Sequence, residues 1–297
     1  MRDMTNAVRL VNGPGDALPG LILEQYNRHF SAQIFHPQWL KNKQLLADFL
    51  DKEFSPRYFI LKDRTQSGGA AAQDLKPQVI IDQDKTSKTI VEEYGLKFGV
   101  DLNDGLNTGL FLDMRANRHK FGQLCRGRRV LNCFAYTCSF GVHAAAQGAH
   151  VVNVDISKKT LERGRRNYDL NGLNCAEEYF VRAEVVSYLQ RAVKKDNRFD
   201  LIILDPPSFA RCDKGAFQVK KDLPGLIKEA AQIVNPGGVV FVSTNSNAVG
   251  YTELETMVRA AFPGRRFKKM AKVSQDVDFP GSNMFKESYL AGLVLYV

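Results

Sequence analysis

The chain contains no C-x-x-C pair. Its five cysteines, Cys125, Cys133, Cys138, Cys175 and Cys212, are odd in number and scattered. That pattern excludes a disulfide framework and a zinc ribbon, and it fits a reducing, cytoplasmic compartment. His36, His119, His143 and His150 share no metal-ligand spacing, so no metal is expected. No apolar run approaches the length of a membrane span, and Met1-Arg2-Asp3 opens no signal-peptide pattern, so no membrane partner is expected either. Internal repeats and low-complexity tracts are missing as well.

Charge is what the chain has in excess. The 297 residues carry a formal net charge of +9. Such a balance favours an anionic partner, of which nucleic acid is the commonest. On charge alone, a basic surface with no specific partner is equally open. The basic residues cluster at Arg126, Arg128 and Arg129, along Lys158, Lys159, Arg163, Arg165 and Arg166, and at Arg265, Arg266, Lys268 and Lys269.

The length suits two domains. Residues 1–94 read as a small N-terminal α+β domain, a candidate RNA-substrate domain. AVRLV and LILEQY flank the turn-rich NGPGDALPG, a helical stripe runs from Gln38 to Phe54, and a strand follows at Arg57–Lys62. Thr65–Lys76 reads as a loop. Val79–Ile81 and Thr89–Glu93 suggest a β arm around a charged turn, and Tyr94–Leu102 continues as strand. From 95 to 297 strands and helices alternate. Strands fall at 130–132, 151–154, 178–181, 200–204 and 238–243, with helices near 115–124, 140–147, 158–171, 184–194 and 221–234. That order predicts a parallel sheet with right-handed crossovers. Two last strands, Phe267–Val273 and Tyr289–Val297, are joined closely enough to make an antiparallel edge. Seven strands with such an edge give a Rossmann-like α/β sheet distinct from the six-stranded dehydrogenase sheet.

The densest information lies in Val130 to Asp155, which reads as strand, loop, helix, strand, acid: half of a nucleotide-binding unit. Asp155, at the tip of the second strand, is placed to accept from ribose hydroxyls. The loop Asn132–Phe140 contains no glycine. A dinucleotide fold needs glycines there so that backbone can close on a pyrophosphate. S-adenosylmethionine, with one carboxylate and an adenosine, fits this loop better. At the end of the fourth strand stands Leu204-Asp205-Pro206-Pro207-Ser208-Phe209. An aspartate with a free proline carbonyl can hold an amino or ring N–H, and Phe209 can stack on a base.

These stretches carry a family resemblance. NTGLFLDMRANR, VLNCFAYTCSF, VVNVDIS, NYDLNGL, LILDPPSF and FQVKKDL, spanning roughly residues 92–245, resemble the class I S-adenosylmethionine-dependent methyltransferases of large-subunit ribosomal RNA. That group includes cytosine-C5 and guanine-N7 enzymes. The N-terminal RLVNGPGDALPGLILEQY resembles the segment that follows an RNA-binding PUA domain in the cytosine enzymes, a domain expected to be absent here.

The resemblance implies site roles. Thr108, Phe111, Asp113 and Arg115 would border the cofactor pocket, and Asn132, Phe134, Tyr136, Thr137 and Ser139 would line its methionine side. Asp155 would hold the ribose, Ile156 the adenine face and Glu184 the adenine amino group. Ala183 stands where the family often has Asp, Met114 where it often has Gln, and Cys138 where it usually has Gly, so the backbone is expected to depart from the family at Cys138. Asp205, Pro206, Pro207 and Phe209 would face the acceptor base, Asp205 also bordering the cofactor. Lys221 and Asn245 would meet the substrate. Ribosomal RNA is the implied partner.

Cytosine-C5 transfer needs a thiolate that adds at C6. The cytosine enzymes have a cysteine just after the fifth strand, but here the stretch reads Val242-Ser243-Thr244-Asn245-Ser246-Asn247. Transfer to a guanine nitrogen needs no covalent step, and it is the favoured expectation, with 23S ribosomal RNA as substrate. A cytosine enzyme using Cys212, a non-catalytic RNA-binding protein that keeps the fold, and a small-molecule methyltransferase are the alternatives. The pattern does not set the oligomeric state, and a homodimer is one option.

Overall fold

A computed structural model describes residues 4–65, 77–105, 107–176, 179–207, 209–212, 215–246, 249–264, 267–281 and 290–297; for 209–212 and 215–217 it describes the backbone alone. The chain packs as two compact units. One comprises Met1–Arg115 with Asp276–Glu287, and the other Ala116–Gln275 with Ser288–Val297.

The first unit holds β1 (Ala7–Asn12), β2 (Leu21–Tyr26), β3 (His29–Ile34), α1 (Pro37–Lys41), α2 (Lys43–Phe54), β4 (Tyr58–Asp63), β5 (Gln78–Asp82), β6 (Lys88–Glu93) and β7 (Leu96–Asp101). Strands β1 to β5 form one sheet in chain order. Side chains alternate across a strand. One face therefore sends Leu21, Leu23, Phe30, Ala32, Ile34, Phe59 and Leu61 against Leu46, Ala47 and Leu50 of α2. The other face carries Arg9, Glu24, Tyr26, His29 and Lys62. Glu24, Tyr26, His29 and Lys62 are buried nonetheless.

The expected β arm is rearranged. β5 pairs with β4, and β6 pairs with β7. The cause is the two-residue link Tyr94-Gly95, with φ of 50° and 78°. Two successive left-handed residues make the turn that matches strand twist in a tight hairpin.

The second unit holds α3 (from Arg115 to Gln123), β8 (Arg129–Cys133), α4 (Ser139–Ala145), β9 (His150–Asp155), α5 (Lys158–Leu170), β10 (Phe180–Arg182), α6 (Val185–Lys194), β11 (Phe199–Leu204), β12 (Phe209–Cys212), β13 (Gly215–Gln218), α7 (Val219–Ile233), β14 (Val234–Thr244), α8 (Tyr251–Ala261), β15 (Lys269–Lys272) and β16 (Ala291–Tyr296). The seven-stranded sheet runs β10-β9-β8-β11-β14-β16-β15. The first five strands are parallel, and β16 and β15 are antiparallel, as the sequence predicts. One face packs Leu131, Ile202, Leu204 and Val240 with Leu226, Ile227 and Leu254. On the other, Phe121, Phe140 and Phe241 meet with ring centroids 5.2–6.1 Å apart. Burial on both faces is why these strands read as unbroken apolar runs. The sequence reading did not include α8 or the β12–β13 hairpin. Among the described residues, no helix is long and apolar enough to cross a membrane, and no three metal-binding side chains gather.

Candidate active site

The carboxyl ends of β8, β9, β10, β11 and β14 carry the residues singled out in the second unit, the edge where open α/β sheets bind ligands. The loop after β8 has an unusual backbone. Phe134, Tyr136 and Cys138 all have positive φ, at 57°, 50° and 60°. Left-handed backbone costs a non-glycine residue on the order of 1 kcal/mol. Hydrogen bonds hold the loop in this form. The Ala135 N–H donates to the Val154 carbonyl at 3.0 Å and the Cys138 N–H to the Ala135 carbonyl at 2.7 Å. The Tyr136 N–H donates to Asp155 Oδ2 at 2.8 Å.

Cys138 is thus left-handed, the conformation that makes glycine usual at this place. Its side chain is fully buried and finds room because residue 164 is glycine. A Cβ on Gly164 would lie 2.3 Å from Cys138 Sγ. Burial, with the charge of Asp155 second, pushes the Cys138 thiol well up, and burial raises Cys133 likewise. Both are therefore protonated packing residues, not nucleophiles.

Beneath the loop lies a neutral polar network. Asn132 and Asn153 face each other in register across β8 and β9. The Asn132 amide donates to Asn153 Oδ1 at 2.9 Å, and Asn153 donates to the Tyr168 hydroxyl at 3.0 Å. A Cβ on Gly141 would sit 2.2 Å from Asn153 Oδ1. Asn167 donates to the Thr137 carbonyl at 2.9 Å. Asn132 is therefore a buried support of the loop, and Asn153, Asn167, Tyr168 and Gly141 share that work. Sequence reasoning missed these four. The signal was present: VLNC and VVNV each place one asparagine inside an apolar strand.

Asp155 is partly buried. Its Oδ1 accepts from the Ser157 N–H at 2.8 Å and the Thr160 hydroxyl at 3.2 Å, while Oδ2, among the described residues, accepts from Tyr136 alone. A carboxylate oxygen has two lone pairs, so Oδ2 keeps one for a ligand hydroxyl. Ile156 beside it is 42% exposed. Glu184 caps α6, accepting from the Val186 N–H at 3.1 Å and from the Ser187 N–H at 2.8 Å and hydroxyl at 2.7 Å. Helix α4 begins without a side-chain cap, and Ser139 is its first residue. Phe134 packs partly against the core.

At the end of β11, Asp205 Oδ1 accepts from the Ser243 hydroxyl at 2.6 Å. Ser243, at the end of β14, is fully buried. Its role went unread in the sequence, where it marked only a missing cysteine. Pro206 is buried, while Pro207, Lys221 and Asn245 are exposed. The side chains of Phe209 and Cys212 lie outside the described residues.

Thr108, Phe111, Asp113 and Arg115 belong to the first unit. The Thr108 hydroxyl donates to that of Tyr26 at 3.0 Å. Arg115, 1% exposed, donates to Asp276 at 2.9 Å, to Asp278 at 2.7 Å and to the Ala7 carbonyl at 2.9 Å. Both are engaged inside this unit. Phe111 is 42% exposed, and Asp113 lies in the single turn Leu112–Met114.

The S-adenosylmethionine-dependent methyltransferase family model matches residues 57–284. A relative from Aeromonas salmonicida, named ribosomal RNA large subunit methyltransferase I, is 34% identical over 97% of this chain and 74% of its own length. A namesake from Aeromonas hydrophila is 35% identical over the same shares. A solved methyltransferase-like structure complexed with S-adenosylhomocysteine is 27% identical, with a TM-score of 0.87 over 99% of this chain and 76% of that one. The glycine-free loop, the acid ending β9 and the Asp-Pro-Pro ending β11 thus stand in a chain that belongs to the S-adenosylmethionine-dependent methyltransferase family.

Proposed function

We propose that this chain methylates a base of large-subunit ribosomal RNA, 23S RNA, at a guanine nitrogen, in the cytoplasm. The relatives' names supply the substrate class. The observation that carries the choice of atom is the Ser243–Asp205 hydrogen bond. Ser243, inside β14, turns a buried hydroxyl onto the aspartate, and Thr244-Asn245-Ser246 at the end of that strand supplies no cysteine.

The residues fit the cofactor. Oδ2 of Asp155 has a lone pair for one ribose hydroxyl, and the exposed Ile156 offers the adenine an apolar face. The uncapped start of α4 leaves backbone N–H groups for the carboxylate, near Thr137 and Ser139. Glu184 shapes the adenine end by fixing the turn into α6. Bound S-adenosylmethionine supplies an electrophilic methyl group. Asp205 and the Pro206 carbonyl accept from the guanine N–H groups and turn a ring nitrogen lone pair toward that methyl, with Phe209 stacking on the base. Pro207, Lys221 and Asn245 meet the flanking RNA. Positioning and exclusion of water provide the catalysis, since no covalent step is required.

Incubation with labelled cofactor and large-subunit RNA, followed by nucleoside analysis, is expected to yield methylguanosine. Methylcytidine would overturn the choice of atom, and unlabelled RNA would overturn the substrate. Cys212→Ser is expected to keep full activity; its loss with the fold intact would restore the cytosine mechanism.

A further inference from the structure

The first unit holds a cation for which the described residues supply no counter-group. Arg64 follows directly on β4, and its N–H donates to the Ile34 carbonyl at 2.6 Å, so the strand ladder continues through it. Its Nε and Nη1 are buried, and neither has a hydrogen-bond partner among the described residues. Its neighbour Asp63 is turned onto Thr65, accepting from that residue's N–H at 2.9 Å and hydroxyl at 2.8 Å. Lys62 lies two residues back, hence on the same side of the strand. It is only 5% exposed, and its ammonium donates to the Gly105 carbonyl at 2.7 Å. The two cations differ in one respect. Glu24, Asp101 and Asp104 act on the charge of Lys62, whereas no carboxylate among the described residues pairs with Arg64.

Burying charged donors without acceptors is unfavourable, so an acceptor is expected from outside the chain. Arg64 as a whole stays partly exposed. Two N–H donors of one guanidinium call for anionic oxygen, which a phosphate supplies.

We propose that Arg64, with Lys62 beside it, forms an oxyanion site in the first unit that takes a backbone phosphate of the RNA substrate. The proposal rests on the RNA reading above, and it assigns this unit a share in substrate binding through residues other than those that meet the base. The contact would position RNA without reading its sequence.

The test is the salt dependence of binding to a fluorescein-labelled RNA hairpin, followed by anisotropy. Losing one phosphate contact lowers the slope of log K against log salt by about one, and affinity roughly tenfold near 0.1 M salt. Arg64→Gln is expected to show both losses with unchanged calorimetric binding of S-adenosylhomocysteine. Arg64→Lys, which keeps the charge, is expected to keep the slope at an intermediate affinity, and it serves should the Gln variant not fold. Wild-type affinity and slope in both variants would overturn the proposal. Should the wild-type chain itself show no salt-dependent binding, the RNA reading fails, and inorganic phosphate then decides. Thermal stabilisation by phosphate that Arg64→Gln abolishes would keep the oxyanion site with free phosphate as its ligand. Equal response of the two proteins would end it.

Discussion

Each unit holds a buried polar network of its own kind, although the second unit also buries the charged Arg118. In the first network the members are charged. Arg115 meets Asp276 and Asp278, and Arg9 meets Glu24 at 2.6 Å. Glu24 in turn accepts from the Tyr26 hydroxyl at 3.1 Å. In the second unit, beneath the loop after β8, they are neutral amides and a phenol: Asn132, Asn153, Asn167 and Tyr168. A charged network is expensive to break, because the surviving partner stays desolvated. A neutral network costs less to break, yet it fixes the shape of a backbone that has no glycine to relax into. The first arrangement therefore governs stability, the second the geometry of the cofactor loop.

Arg115→Met tests this contrast most severely. It leaves the Asp276 and Asp278 carboxylates, both largely buried, without their cation. Losing one partner of such a pair costs about 3–5 kcal/mol, which urea unfolding would register. A loss below about 1 kcal/mol would mean that the buried charges are not what holds this unit together.

The second unit is expected to fail more gently and more locally. Gly164→Ala puts a methyl group where Cys138 Sγ already sits. Overpacking of that kind costs about 1–3 kcal/mol, and here it also displaces the loop, so S-adenosylhomocysteine affinity should fall with it. Cys138→Gly in the same chain removes the clashing sulfur and suits the left-handed backbone. The double variant should recover both stability and affinity. Recovery of stability alone would separate the packing from the cofactor geometry.

The same contrast explains what the sequence could reveal. The parallel sheet was legible because both its faces are apolar, and its strands therefore stand out as unbroken runs such as LIIL. Seven strands with an antiparallel edge followed, and their order came from the structure. The first unit was harder. Glu24 and Lys62 look like solvent-facing residues of alternating strands, and only packing shows them buried. The pairing of β5 with β4 was hidden for another reason: it joins segments separated by a long loop, and nothing local in Val79–Ile81 names a partner. Motif resemblance singled out Asp155, Glu184 and Asp205, and the fold sets them at the carboxyl ends of β9, β10 and β11. That Glu184 caps a helix and Asn132 supports a neighbour depends on which atoms meet, which no linear pattern records.

Ser243→Ala asks whether the neutral contacts extend to the chemistry. Removing the hydroxyl takes one donor from Asp205 Oδ1, and kcat should fall roughly tenfold, the worth of one charge-assisted hydrogen bond. The KM for S-adenosylmethionine should hold. An unchanged kcat would reduce Ser243 to packing.

The smallest effect is expected from His29, the histidine of the first unit's polar face. Its ring is buried, stacks on Tyr58 with centroids 5.5 Å apart, and lies within hydrogen-bond distance of the Thr86 carbonyl, 3.2 Å from Nε2. Asp84 stands 3.7 Å away, and Arg57 also acts on it. Burial lowers its pKa from 6.5, outweighing the Thr86 carbonyl and Asp84, which pull upward. Between the lowered folded value and 6.5, the unfolded chain binds more protons than the folded one. Stability is then complete above pH 6.5 and declines as the pH falls through the window below it. His29→Gln removes the titration, so the variant's stability should change less than the wild type's over that window. A wild-type chain whose stability is flat there, or rises on acidification, would show Asp84 rather than burial to be in control, and the first unit's buried charges would then be better compensated than their desolvation suggests.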